Sequence, residues 1–239
     1  MKGKVAVITG AGGGIGRAIT LSLAKEGVYP ILFGGNNVEK LKETAELVSE
    51  YTECGIIAGN LTDDNVLEEC MDTLLSEYEG VDILINNAGI ACNVSFEQTP
   101  KELFDKIMNI NCRVPYLLTQ KLLPYIKKSD YATIINIASV VSHAGYPMQS
   151  AYTASKHALL GFTKSLASEV YEDGVRVHAV SPGGVYTDMV KVSRPDLTPD
   201  GMIMPEEIAD IVTFLLKNRG NAVIDEIIVH RVKKQPFLV

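Results

Sequence analysis

Short apolar runs alternate along this chain with longer segments whose apolar positions recur every three or four residues. The runs are Lys4–Thr9, Pro30–Phe33, Gly55–Ala58, Val81–Asn86, Thr133–Ile137, Val175–Ser181 and Ala222–Val229. Helical patterns lie between them at about 15–26, 38–51, 64–78, 101–127, 150–172 and 205–218. Most runs are β-branched and nearly continuous, which is how a strand buried on both faces of a parallel sheet reads. Strand followed by helix about six times over predicts an α/β fold: a doubly wound parallel sheet of about seven strands in a three-layer, Rossmann-type domain. Right-handed crossovers place helices on both faces. No linker, repeat or low-complexity tract interrupts the pattern, so residues 1–239 are expected to form a single domain. The Pro-rich stretch Arg194-Pro195-Asp196-Leu197-Thr198-Pro199-Asp200 reads as part of a loop at about 190–204.

Composition narrows the class. Of 239 residues, 46% are hydrophobic and 21% charged, which supports a globular fold with a full core and excludes a disordered or fibrous chain. Twenty-two Lys and Arg against 29 Asp and Glu leave a net charge of −7. Nucleic acids and anionic membranes call for a basic surface, so neither is an expected partner. No run reaches the roughly 18 apolar residues of a membrane span, and the run after Met1-Lys2-Gly3-Lys4 reads as a strand rather than a signal sequence. Cys54, Cys70, Cys92 and Cys112 form no C-x-x-C, and the four histidines are not spaced beside them. Reduced thiols in a cytoplasmic protein are expected, with no metal site.

The first candidate chemistry follows the first strand. Thr9-Gly10-Ala11-Gly12-Gly13-Gly14-Ile15-Gly16 opens the first helical pattern. Glycines let backbone turn tightly and approach a ligand, and a helix N-terminus offers free N–H groups and partial positive charge to a diphosphate. The spacing is T-G-x-x-x-G-x-G, not the commoner G-x-G-x-x-G, and no Gly-Lys-Ser/Thr makes it a P-loop.

That spacing resembles the short-chain dehydrogenase/reductase family, and further motifs follow in the family's order. Asn86-Asn87-Ala88-Gly89 resembles its N-N-A-G at the end of the fourth strand. Asn111 lies where the family keeps an active-site asparagine. Ser139 ends the fifth strand, and thirteen residues on comes Tyr152-Thr153-Ala154-Ser155-Lys156, its Y-x-x-x-K. Ser181-Pro182-Gly183-Gly184-Val185-Tyr186-Thr187 is similar to its P-G-x-x-x-T. The resemblance runs from Lys4 to about Leu216.

The candidate catalytic residues carry their own physics. Tyr152 and Lys156, four apart, share a helix face. A free tyrosine, with a pKa of about 10, is a poor acid–base catalyst at neutral pH, and a neighbouring ammonium is expected to lower that value. Ser139 can donate to a carbonyl oxygen as negative charge builds there. His157 should point away from this face and His178 sits in a buried strand, so both read as structural.

The resemblance implies the remaining roles. Tyr152 would protonate the substrate oxygen as the nicotinamide delivers hydride. Lys156 would hold the nicotinamide ribose, Asn111 a water linking Lys156 to solvent, and Val185 and Thr187 the carboxamide. Gly10, Gly12, Gly13, Gly14, Ile15 and Gly16 would cradle the diphosphate. Asn87, Ala88, Gly89, Pro182 and Gly183 would complete the cofactor site.

Cofactor choice is read from departures. Family members that prefer NAD carry an acid after the second strand, and those that prefer NADP carry Arg or Lys there or in the glycine loop. Here Gly13 holds the loop position and the strand end reads Phe33-Gly34-Gly35-Asn36-Asn37. With no carboxylate at Gly35 to repel a 2′-phosphate, and with Asn36 and Asn37 as donors, NADP is expected over NAD. Asn60-Leu61 replaces an Asp-hydrophobic pair beside the adenine, and the Asn60 oxygen can still accept.

The resemblance implies a homodimer or homotetramer, built on helices 101–127 and 150–172. The leading function is interconversion of a ketone and a secondary alcohol, with a small-molecule substrate. One alternative is 3-oxoacyl-carrier-protein reduction. Against it, such enzymes bring arginines to the active-site mouth to meet an acidic carrier, where this chain has Asp130 and Asp173. The rival of another class is a non-catalytic NAD(P)-binding regulator.

Overall fold

The structure, a computed structural model, describes residues 1–193 and 196–235. Strands β1 (Val5–Thr9), β2 (Tyr29–Phe33), β3 (Gly55–Ile57), β4 (Ile83–Asn86), β5 (Thr133–Ile137), β6 (Arg176–Pro182) and β7 (Glu226–Val229) form a parallel sheet in the order β3-β2-β1-β4-β5-β6-β7. The order reverses between β1 and β4, which opens a crevice at the carboxyl ends of the strands. The expected doubly wound α/β architecture is borne out.

Helices cover both faces: α1 (Gly14–Lys25), α2 (Val38–Val48), α3 (Asp64–Glu77), α4 (Lys101–Met108), α5 (Val114–Ile126), α6 (Ser150–Val170), α7 (Asp188–Ser193) and α8 (Pro205–Lys217). Neighbouring strand positions serve opposite faces, which is why the runs are apolar throughout. Ile8 packs with Ile19 and Leu23 of α1, Leu41 of α2 and Val212 and Leu216 of α8. Val7 packs with Leu67 and Leu74 of α3, Leu118 and Leu122 of α5 and Leu166 of α6. Below the crevice, Asn86 Nδ2 donates to Asn136 Oδ1 and Thr119 Oγ1, and Asn136 Nδ2 to Thr163 Oγ1, stitching the middle of the sheet to α5 and α6.

Two expectations need correction. The helix expected over 101–127 is broken by a π-helical turn, Asn109–Arg113, between α4 and α5. Pro115 has no N–H to give the carbonyl of Asn111, the bond that an unbroken helix would make, so the register widens there. The segment expected to be a loop at about 190–204 begins inside the short helix α7. Arg194 and Pro195 of that segment, and Pro236 at the C-terminus, lie outside the described residues.

Candidate active site

Parallel strands bring their carboxyl ends to one edge, and with them the motifs that follow β1, β4, β5 and β6. At the centre, Thr9 Oγ1 accepts from the backbone N–H groups of Asn87 and Ala88, both at 2.9 Å. Asn87 Nδ2 in turn donates to the Thr9 carbonyl at 2.9 Å. The glycine turn and the Asn87-Ala88-Gly89 turn are thereby one unit. Gly16 is required by close approach: a Cβ there would lie 2.2 Å from the Gly10 carbonyl oxygen.

The residues fit a dinucleotide. Gly13, the N-cap of α1, has no side chain to cap the helix, and no acid occupies the first turn. Its N-terminal N–H groups and partial positive charge are left for an anion, and a Cβ at Gly13 would meet nothing within 4 Å. Across the cradle, Thr187 borders Gly14, and Gly183 is fixed by its N–H on the Val229 carbonyl at 2.7 Å. Val185 is buried and bridges to Ile203. Ile15, half-buried, packs on the core beneath.

At the adenosine end the glycines carry a backbone reason. Gly34 and Gly35 have φ of +76° and +97°, and a Cβ on Gly34 would lie 2.3 Å from the buried Leu61 side chain. Gly35 donates its N–H to the Gly59 carbonyl at 2.9 Å. The pair therefore shapes the exit from β2, a reason independent of cofactor choice. Asn37 caps α2, its Oδ1 accepting from Lys40 N, and its Nδ2 is the group left to donate. Asn36 is exposed. Asn60 Oδ1 is taken by the Thr62 hydroxyl at 2.8 Å.

The four candidate catalytic residues converge. Ser139 is buried at the end of β5, its Oγ 3.4 Å from the Pro182 carbonyl and 3.3 Å from Val141 N. Tyr152 and Lys156 share a face of α6, with Lys156 Nζ 6.0 Å from the Tyr152 ring centre. Lys156 is 4% exposed and donates to the Ile137 carbonyl at 2.7 Å. Asn111, fully buried, uses Oδ1 on Ile90 N and Nδ2 on the Ile90 carbonyl and Ser155 Oγ. Both Nδ2 hydrogens are thereby used, and Oδ1 holds one donor. A Cβ on Gly89 would border both Asn111 Oδ1 and Lys156 Nζ.

The electrostatics differ from the expectation for Tyr152. Burial pushes its phenol above the ordinary value, with the Ser139 hydroxyl pulling the other way. Burial also draws Lys156 down to about 8. Both shifts are desolvation of a charged form. Tyr152 is therefore held as the neutral phenol, the form that gives a proton away, and Lys156 sits near the edge of losing its charge.

Sequence reasoning left out Thr9, which joins the two turns, and Ser155, which orients Asn111. Each stands inside a motif that was read, at positions where only a hydroxyl makes these bonds. The two tempting histidines stay outside the site. His157 is exposed with Nδ1 on the Thr153 carbonyl, and His178 is buried with Nδ1 on the Ile224 carbonyl.

A family model described as short chain dehydrogenase matches residues 4–198. The chain belongs to the short-chain dehydrogenase family. Relatives include the 3-oxoacyl-[acyl-carrier-protein] reductase of Thermotoga maritima, 33% identical and covering 95% of this chain and 96% of that one. The D-beta-hydroxybutyrate dehydrogenase of Rhizobium meliloti is 33% identical over 87% and 82% of the two chains. Among solved structures, an alcohol dehydrogenase from the archaeon Thermococcus sibiricus complexed with 5-hydroxy-NADP superposes with a TM-score of 0.89 at 28% identity, covering 98% of each chain. This short-chain dehydrogenase is accordingly an NAD(P)-dependent oxidoreductase.

Proposed function

We propose that this enzyme reduces the ketone of a 3-oxoacyl compound to a secondary alcohol with NADPH, and that residues 1–239 act as one dinucleotide-binding and catalytic unit. The observation that carries the reaction is the convergence of a half-buried phenol, a buried serine hydroxyl and a buried lysine at the end of β5 and the start of α6. When bound, the dinucleotide supplies the hydride. Ser139 donates to the ketone oxygen as charge develops on it. Tyr152 Oη delivers the proton to that oxygen. Lys156 holds the nicotinamide ribose and keeps positive charge beside the phenol as it becomes a phenolate. Asn111 holds the water that returns the proton. A regulator that only binds the dinucleotide has no use for Ser139 and Tyr152 at this spacing.

The substrate class rests on what the two curated relatives share, which is an oxygen function on the third carbon of an acyl chain. The objection drawn from Asp130 and Asp173 loses its geometry. Asp130 precedes β5 while Ser139 follows it, and Asp173 follows α6 while Tyr152 stands in its first turn. Within one chain both lie at the far end from the site. Each also holds a lysine, Asp130 with Lys4 and Asp173 with Lys127.

NADP is favoured over NAD by Asn36 and the Nδ2 of Asn37, neutral donors with no carboxylate to repel a 2′-phosphate. Neutral hydrogen bonds are about half as strong as charge-assisted ones, so the preference is about tenfold or less. The free thiols Cys54, Cys70, Cys92 and Cys112 suit the reducing cytoplasm, where we place the protein. No described helix is long and apolar enough to cross a membrane. We assign a homodimer or homotetramer to the α5 and α6 face, where the Tyr116 and Phe162 rings stand 5.1 Å apart and Tyr116 is 48% exposed. The test of function is NADPH oxidation with acetoacetyl-coenzyme A against neutral cyclic ketones. Turnover of the thioester at kcat/KM tenfold or more above the cyclic ketones is expected, and the reverse order overturns the substrate class.

A further inference from the structure

The hydroxyl of Ser139 is set between two backbone groups, the Pro182 carbonyl and the Val141 N–H. Each belongs to a segment that ends on the same carboxylate. Ser181, just before Pro182, donates its hydroxyl to Glu226 Oε1 at 2.5 Å. His143, two residues beyond Val141 and at the close of the turn Val140–Ser142, meets the same oxygen through Nε2 at 2.7 Å. Both side chains of the His143–Glu226 pair are about four-fifths buried. Glu226 opens the edge strand β7, opposite Ala179 in the ladder.

From these contacts we infer that Glu226 is a positioning residue for the catalytic serine, acting as a clamp that closes the Ser139 turn onto the end of β6. The inference rests on the catalytic reading of Ser139 given above. A cavity of about 520 Å³ lies between α6 and β7, lined by Glu226 and Asp225 on one side and by Lys164 and Tyr171 on the other. Glu226 borders this cavity, and its carboxylate is tied by the hydrogen bonds to Ser181 and His143. Without them, the turn 140–143 and the Ser181-Pro182 segment are joined at this point by the weak 3.3–3.4 Å contacts of Ser139 itself. Misplacement of a donor to a developing oxyanion by an ångström or so costs on the order of 10²-fold in rate.

The test is a double-mutant cycle on kcat with acetoacetyl-coenzyme A and NADPH. Fluorescence titration of NADPH and thermal unfolding are measured beside it. Glu226→Leu removes the acceptor, and kcat is expected to fall tenfold or more, with NADPH affinity changed less than twofold. Glu226→Gln keeps an acceptor oxygen and is expected to stay within about threefold of the parent. In a Ser139→Ala background, Glu226→Leu is expected to cost nothing further, because the group it positions is gone. A merely structural role would slow both backgrounds by the same factor, and that result overturns the inference. So does an unchanged kcat for Glu226→Leu. If Glu226→Leu does not fold, His143→Leu, which breaks the clamp at its other end, carries the same cycle. Full activity in Ser139→Ala alone would instead overturn the catalytic reading of Ser139, and the inference with it.

Discussion

Replacing Lys156 by Met should stabilise the protein at neutral pH while disabling it. Lys156 is 4% exposed, and burial lowers its ammonium from 10.5 to about 8. That difference corresponds to about 3 kcal/mol of folding free energy. Below about pH 8 both the folded and unfolded chains hold the proton, so the folded state bears the full penalty. Between about 8 and 10.5 the unfolded chain keeps a proton that the folded one has released, and stability rises with pH. Above 10.5 neither holds it and the penalty is gone. Methionine fills a similar volume without charge but leaves the Ile137 carbonyl without the Nζ donor, a loss of about 1 kcal/mol. The net expectation at pH 7 is a gain of about 2 kcal/mol for Lys156→Met, shrinking to zero or reversing by about pH 10. Urea unfolding of parent and variant from pH 6.5 to 10 measures the difference directly, since other titrating groups cancel between the two. A variant destabilised at pH 7, or a difference that does not change with pH, would refute the reasoning. A buried ammonium kept at this cost is the mark of a residue retained for chemistry rather than folding.

Gly35→Ala should lower stability by about 1–2 kcal/mol, because an L side chain at positive φ is strained, and chemical denaturation reads this. Asn36→Asp adds the carboxylate without that strain, and kcat/KM should shift from NADPH toward NADH by tenfold or more. Light scattering at micromolar concentration should give a dimer mass or larger, and a concentration-independent monomer would refute the assembly at α5 and α6.

The sheet was legible because a strand covered on both faces has no choice but to be apolar throughout. Thr133–Ile137 begins and ends where its run does. The glycine turn and the Tyr152–Lys156 pair were legible because their chemistry depends on spacing along a single element. What escaped depends on contacts between elements. Apolar periodicity runs straight through 101–127, and only Pro115, whose missing N–H acts four residues upstream, marks the π-helical turn that carries Asn111. Gly35 was read for the side chain it lacks, whereas the positive φ of Gly34 and Gly35 and the crowding of Gly34 by Leu61 show a backbone need. The lowering of Tyr152 by Lys156 was inferred from proximity alone. In the fold both groups are desolvated, and that effect dominates each of them.

The central claim is that Tyr152 gives the substrate oxygen its proton. Tyr152→Phe removes one hydroxyl and leaves the ring, the glycine turn and Lys156 in place. Single-turnover oxidation of NADPH with acetoacetyl-coenzyme A should slow by 10²-fold or more, while NADPH affinity, measured by fluorescence on the same sample, stays within about threefold. Retention of more than about a tenth of the parent rate, with the dinucleotide bound as tightly, would contradict the account.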